Sequence, residues 1–132
     1  MTSRETQNRI LDAATVLFNE EGTAQVSGNR IAEAAGVSKG NLHYHFKTKE
    51  EVIFSIWLRI EEEIAGWQGD AGQPTVVHMA EITLRQYRLI WCYRFFYREL
   101  GTLLDRDPEL KYRFQRLRRL RMGEILSFLK PW

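Results

Sequence analysis

An all-α fold is predicted for these 132 residues, with a three-helix N-terminal head of helix-turn-helix geometry followed by a helical body. Three observations predict it. Apolar residues recur at the spacing of one helix face through most of the chain, helix caps stand where the periodic runs begin, and no run alternates apolar with polar residues as a half-buried strand does. Composition agrees, because 44% of the residues are hydrophobic and glycine and proline number only nine and three, a globular rather than disordered balance.

From Thr6 to Glu21, the residues Ile10, Ala13, Ala14, Leu17 and Phe18 fall on one helical face, and Gly22 supplies a stop. Ser27 is a good N-cap for a second, short helix that carries Ile31, Ala34 and Ala35 inward and ends at Gly36. A third short helix runs from Lys39 to His45, with Leu42 and Phe46 on its apolar side. Thr48 and Glu51 have capping-box spacing and open a long helix containing Val52, Ile53, Ile56, Ile60 and Ile64. The stretch from Gly66 to Pro74 is the clearest loop.

Beyond it, Thr75 to Leu100 is rich in aromatic residues, and its near-continuous apolarity predicts helices buried on more than one side. Asp107-Pro108-Glu109 restarts a helix, with Asp as N-cap and Pro at the first helical position. The basic run from Lys111 to Arg121 is interleaved with Leu110, Phe114, Leu117 and Leu120, which marks the charged side as the solvated face of a packed helix. The head is assigned to residues 1–50 and the body to residues 51–132.

Several function classes are disfavoured. A single cysteine, Cys92, permits neither an intrachain disulfide nor a cysteine-cluster zinc site, and is expected as a small core residue in a reducing compartment. The N-terminus lacks a signal-peptide core and no apolar run reaches the ~18 residues of a membrane span, so a cytoplasmic protein with no membrane partner is expected. His43 and His45 point about 200° apart on a helix, which argues against a shared metal. There is no G-x-S-x-G, no phosphate loop and no H-E-x-x-H, so neither catalysis nor a cofactor is expected.

Net charge is only +2, so any electrostatic footprint must come from distribution. Lys39, Lys47 and Lys49 stand in an eleven-residue stretch without an acid, although residues 1–50 as a whole hold six basic and six acidic side chains. That local excess coincides with two short helices joined at Gly36, the arrangement of a DNA-binding helix-turn-helix. With Leu42 and Phe46 facing inward, Gly40 and Tyr44 point outward and Asn41 and His43 flank them. Gly40 would let the backbone approach DNA, Asn41 can read or bridge bases, and Tyr44 can pack on sugar or a thymine methyl. Lys49, at the start of the fourth helix, stands where free backbone N–H groups favour a phosphate oxygen.

The ungapped run from Ile31 to Glu50, including Ala34-Ala35-Gly36-Val37-Ser38-Lys39-Gly40 and Leu42-His43-Tyr44-His45-Phe46-Lys47-Thr48-Lys49, resembles the signature of the tetracycline-repressor (TetR) family of transcriptional regulators. The resemblance covers roughly residues 6 to 55. It implies a DNA-binding head, an effector-binding body and a homodimer on a palindromic operator, most simply a ligand-responsive repressor. By position it implies that Ser27 and Asn29 approach double-stranded DNA from the second helix, Lys39, Asn41, His43, Tyr44 and His45 from the third, and Lys49 from the fourth. The chain departs from the family pattern at His43, where Tyr is usual, and at Gly28-Asn29, which bears on the operator sequence.

The body carries no motif of its own. Its aromatic residues Tyr87, Trp91, Phe95 and Phe96 either fill a core or line a cavity for a small hydrophobic ligand, and the resemblance favours the cavity. Family members are usually longer and place a dimer-forming helix pair toward the C-terminal end, so a truncated body ending in an exposed apolar segment, Phe128 to Trp132, is also expected. Two further readings stand beside the ligand-responsive repressor: a DNA-bound protein-interaction module without a small-molecule effector, and an inactive truncated regulator.

Overall fold

The computed structural model describes residues 2–67 and 75–129. Of the loop expected from Gly66 to Pro74, Gly66 instead closes a helix and Trp67 caps it, while the rest of it, the apolar side chains of Phe128 and Leu129, and the end at Trp132 lie outside what is described. Among the described residues the order is α1 (Ser3–Glu21), a 3-10 turn (Thr23–Gln25), α2 (Gly28–Ala35), α3 (Lys39–His45), α4 (Lys49–Gly66), α5 (Val76–Cys92), α6 (Arg94–Arg98), α7 (Leu100–Arg106) and α8 (Pro108–Leu129), with no strand. The all-helical expectation holds. None of the described helices is long and apolar enough to cross a membrane.

Local chemistry explains most boundaries. α1 begins ahead of its apolar run because Thr2 and Glu5 form a reciprocal capping box: Thr2 Oγ1 accepts from the Glu5 N–H at 3.1 Å, and the Thr2 N–H donates to Glu5 Oε2 at 3.0 Å. Ser27, Ser38 and Thr48 each accept a backbone N–H of the first turn of α2, α3 and α4. The expected box at Thr48 is half displaced, because the Glu51 carboxylate accepts from the Lys47 N–H at 2.6 Å, one residue ahead of the cap. Asp107 Oδ1 caps α8 by accepting from the N–H groups of Glu109 and Leu110.

The turn between α2 and α3 is a Schellman motif. Gly36 takes φ 70°, its N–H donates to Glu33 O at 3.1 Å, and the Val37 N–H donates to Ala32 O at 3.0 Å. A β-carbon at Gly36 would lie 2.7 Å from Arg9 Nη2. Gly36→Ala therefore adds left-handed backbone strain to a displaced arginine, and a loss of about 1–2 kcal/mol in urea unfolding is expected. The small inward residues of α2 are Ala32 and Ala35; Ala34, expected inward, is exposed.

One contiguous core joins head and body. Ile10, Ala14 and Phe18 of α1 and Ile56, Trp57 and Ile60 of α4 meet Phe95 and Phe96 of α6 and Leu103 and Leu110 from α7 and α8. Phe18 packs on Phe95 with ring centroids 5.1 Å apart, and Trp57 stacks on Phe96 at 5.4 Å. Polar clamps reinforce the same seam. Asn19 Nδ2 donates to Cys92 O at 2.9 Å and its Oδ1 accepts from the Phe95 N–H at 3.0 Å, which satisfies backbone groups at the break between α5 and α6. The Thr23 hydroxyl donates to Glu99 Oε1 at 2.7 Å.

Two expectations for the body are corrected. α5 is not buried on more than one side: Leu89 is its one buried residue, while Leu84, Tyr87 and Trp91 are exposed. The aromatic residues that reach the core, Phe95 and Phe96, lie past the break at Tyr93, which turns them away from the face of α5. Cys92 is exposed rather than a core residue. On α8 the alternation is as expected as far as Leu117: Leu110 is buried and Phe114 and Leu117 pack partly against the core, with Lys111, Arg116, Arg118 and Arg119 exposed. Leu120 is exposed as well.

Candidate nucleic-acid interface

α3 is held from behind by Leu42 and Phe46, only 7% and 9% exposed, and its far side is open, with Tyr44 78% exposed. Lys39, Gly40, Asn41 and His43 are exposed with it. A β-carbon at Gly40 would meet nothing within 4 Å, so the fold does not require glycine there.

Beside this face lies a groove of about 650 Å³. Its walls are Ser27, Gly28 and Asn29 at the start of α2, Lys39, Gly40 and His43 of α3, and Lys47, Thr48 and Lys49 leading into α4; Ile31, Leu42, Phe46 and Val52 also line it. No carboxylate lines the groove. Lys39 and Lys47 make no ion pair among the described residues, so both ammonium groups are available to an anion.

The residues singled out in sequence separate into three sets. Ser27, Asn29, Lys39, Gly40, His43 and Lys49 come together on the groove wall. Asn41 and Tyr44 do not line it and stand on the exposed face of α3. His45 turns toward α1: it is half-buried, its Nδ1 lies 3.4 Å from Gln7 Nε2, and its ring is edge-on to Tyr44 at 5.0 Å. Lys49 is half-buried too, and its Nζ donates to Thr23 O at 2.7 Å, which fixes the ammonium against the 3-10 turn. Lys47 and Thr48 were not among the sequence candidates, although Lys47 belongs to the acid-free lysine stretch that signalled the site.

Away from the groove, Arg30 is paired with Glu21. Arg30 Nη1 donates to Glu21 Oε1 at 2.6 Å, and this hydrogen bond draws the exposed Glu21 carboxyl below its ordinary range, so the pair loosens as pH falls through that lowered range.

A second cavity, of about 500 Å³, lies among α4, α5, α6 and α8. Tyr87 lines it, but Phe95 and Phe96 are buried in the core, and Trp91 is exposed with the Arg94 guanidinium 4.4 Å from its ring; none of these three reaches the cavity. Tyr97 takes their place. Burial pushes its phenol above the ordinary value, so the hydroxyl stays protonated at neutral pH. Among the described residues no group of histidine, cysteine, aspartate and glutamate is placed to hold a metal ion.

Residues 10–56 match the family model of bacterial regulatory proteins, tetR family, and residues 59–130 match a TetR model described as bacterial transcriptional repressor. The HTH-type transcriptional regulator AcrR of Shigella flexneri is 33% identical over 97 residues, covering 65% of this chain and 45% of that protein. An HTH-type transcriptional regulator of Staphylococcus aureus (strain bovine RF122 / ET3-1) is 42% identical over 55 residues, covering 42% of this chain and 30% of its own length. The chain thus spans less than half the length of these curated relatives. Among solved structures, a TetR-family transcriptional regulator from Marinobacter aquaeolei VT8 superimposes with a TM-score of 0.88 at 28% identity, over 98% of this chain and 64% of that one. A transcriptional regulator of the TerR/AcrR family from Aquifex aeolicus VF5 gives 0.59 at 27% identity, over 94% and 79%. Two family models that together run from the groove-bearing head through the helical body, with a fold neighbour that follows nearly every residue, place this chain in the TetR family of bacterial regulatory proteins.

Proposed function

We propose that the chain is a DNA-binding transcriptional regulator whose α3 enters the major groove of duplex DNA. The observation that carries this reading is the acid-free groove flanked by Lys39, Lys47 and Lys49 beside the open face of Asn41 and Tyr44. Lysines at the rim meet phosphates and set the register, while Asn29, Asn41 and Tyr44 reach base edges or thymine methyls. Gly40 lets the α3 backbone approach the duplex. Ser27, His43 and Lys49 line the same wall as phosphate contacts, and His45 supports Tyr44 from the α1 side.

In this reading two copies place their α3 helices in successive major grooves of a palindromic operator and block transcription, working in the cytoplasm where the chromosome lies. A small ligand in the cavity among α4, α5, α6 and α8 biases the pair toward a spacing that does not fit the operator, to the extent that it binds that spacing more tightly. The core shared by α1, α4 and α6 offers a rigid link between that cavity and the head.

Selecting bound fragments from random duplexes at two salt concentrations tests the proposal. A palindromic consensus should emerge, and Asn41→Ala should relax preference at particular base pairs, by about 1–3 kcal/mol each, without changing the salt dependence. An Asn41→Ala protein that weakens on all sequences alike would remove Asn41 from the base-reading set.

A further inference from the structure

We propose that the cavity among α4, α5, α6 and α8 takes a small organic anion, a carboxylate carried on a flat apolar body. This rests on the ligand-responsive reading above and names the chemistry of its ligand. Charge in the cavity is one-sided: Arg118 and Arg121 of α8 are the charged groups that line it, and no carboxylate does. Three residues apart on a helix, they present neighbouring guanidinium groups.

Arg121 is ion-paired with Glu124, whereas Arg118 is not neutralised among the described residues. Arg118 makes no ion pair or hydrogen bond among the described residues. Arg121, with a side chain 20% exposed, lies over the Trp67 ring at 5.6 Å, and its approach to Glu124 is 3.7 Å, beyond a good hydrogen bond. A guanidinium held against apolar surface favours an anion with two oxygens in one plane, which its fork of N–H groups meets in bidentate fashion.

The remaining wall selects the body of the ligand. Trp57, Tyr87 and Phe114 supply aromatic faces and Ile64, Ile82 and Leu117 aliphatic ones. A cationic ligand would meet two like charges, and a neutral one would leave Arg118 uncompensated.

Calorimetric titration of the full chain with naphthylacetate, naphthylethanol and naphthylethylamine separates the charges on one apolar body. The acid is expected to bind at least ~10-fold tighter than the alcohol, with the amine weakest, and Arg118→Gln should weaken the acid by ~10-fold while leaving the alcohol unchanged. Arg118→Lys should restore part of the loss. The proposal is overturned if alcohol or amine binds as tightly as the acid, if no member of the series binds, or if both Arg118→Gln and Arg121→Gln leave the acid's affinity unchanged. A parallel measurement of duplex affinity keeps the two readings apart. Arg118-dependent acid binding that leaves DNA affinity untouched upholds the ligand class and sinks ligand-responsive release. Release by the alcohol or amine alone does the reverse.

Discussion

Replacing Lys39 and Lys47 together with alanine is expected to weaken duplex binding roughly 10- to 100-fold at low salt and to reduce the slope of log affinity against log salt by about two, one unit for each phosphate no longer neutralised. Stability should barely change, because both side chains are exposed and neither is held in an ion pair among the described residues. The pair is a cleaner probe than Lys49, whose ammonium also bonds Thr23 O and so ties α4 to the 3-10 turn. Fluorescence anisotropy of a labelled duplex over a salt series, alongside thermal unfolding, checks both halves. An unchanged salt slope would mean that these lysines do not meet phosphates.

The largest stability effect is expected from Phe18→Ala. Phe18 is fully buried in the core shared by α1 and α4 and packs against Phe95 of α6, so its removal opens a cavity where head and body meet. Buried phenylalanine truncations cost about 3–5 kcal/mol, against a total of about 5–15 kcal/mol for a typical domain. The Asn19 and Thr23 clamps lie on the same seam and hold the flanking backbone, which limits how far the cavity can collapse. Urea unfolding should show a midpoint lowered in proportion, in one transition if head and body unfold together. A loss below about 1 kcal/mol would mean that the seam repacks freely.

What was legible in sequence was the chemistry that acts over a few residues. Ser27, Gly36, Thr48, Asp107 and Pro108 mark helix ends by satisfying or omitting nearby backbone groups, and the structure places boundaries there. The same logic, applied to Thr2 and Glu5, would have placed the start of α1 at Ser3. Which small residue of α2 faces inward was less legible, because an eight-residue helix carries too few turns for its pattern to separate Ala32 from Ala34. The break at Tyr93 involves neither glycine nor proline, so nothing local signalled that Phe95 and Phe96 would leave the face of Tyr87 and Trp91 and enter the core.

The interface follows the same division. Its groove was legible because Lys39, Lys47 and Lys49 are close in sequence, and the α3 face because Leu42 and Phe46 fix which side points away. The contacts that retain His45 beside Gln7 and Lys49 beside Thr23 join residues distant in sequence, where periodicity carries no information. Arg118 and Arg121 read as part of a solvated basic face until the packing of α8 against α4 placed them at a cavity.

Gly40→Ala separates structure from function most directly. A methyl at Gly40 meets nothing within 4 Å in the fold, and alanine favours helix, so thermal stability should stay level or rise by up to about 0.5 kcal/mol. If the α3 backbone lies against DNA, the same methyl occupies space the duplex needs, and binding should fall about tenfold or more. A Gly40→Ala protein that unfolds at the same or a higher temperature and binds its selected duplex as tightly as the parent would contradict the placement of α3 in the major groove.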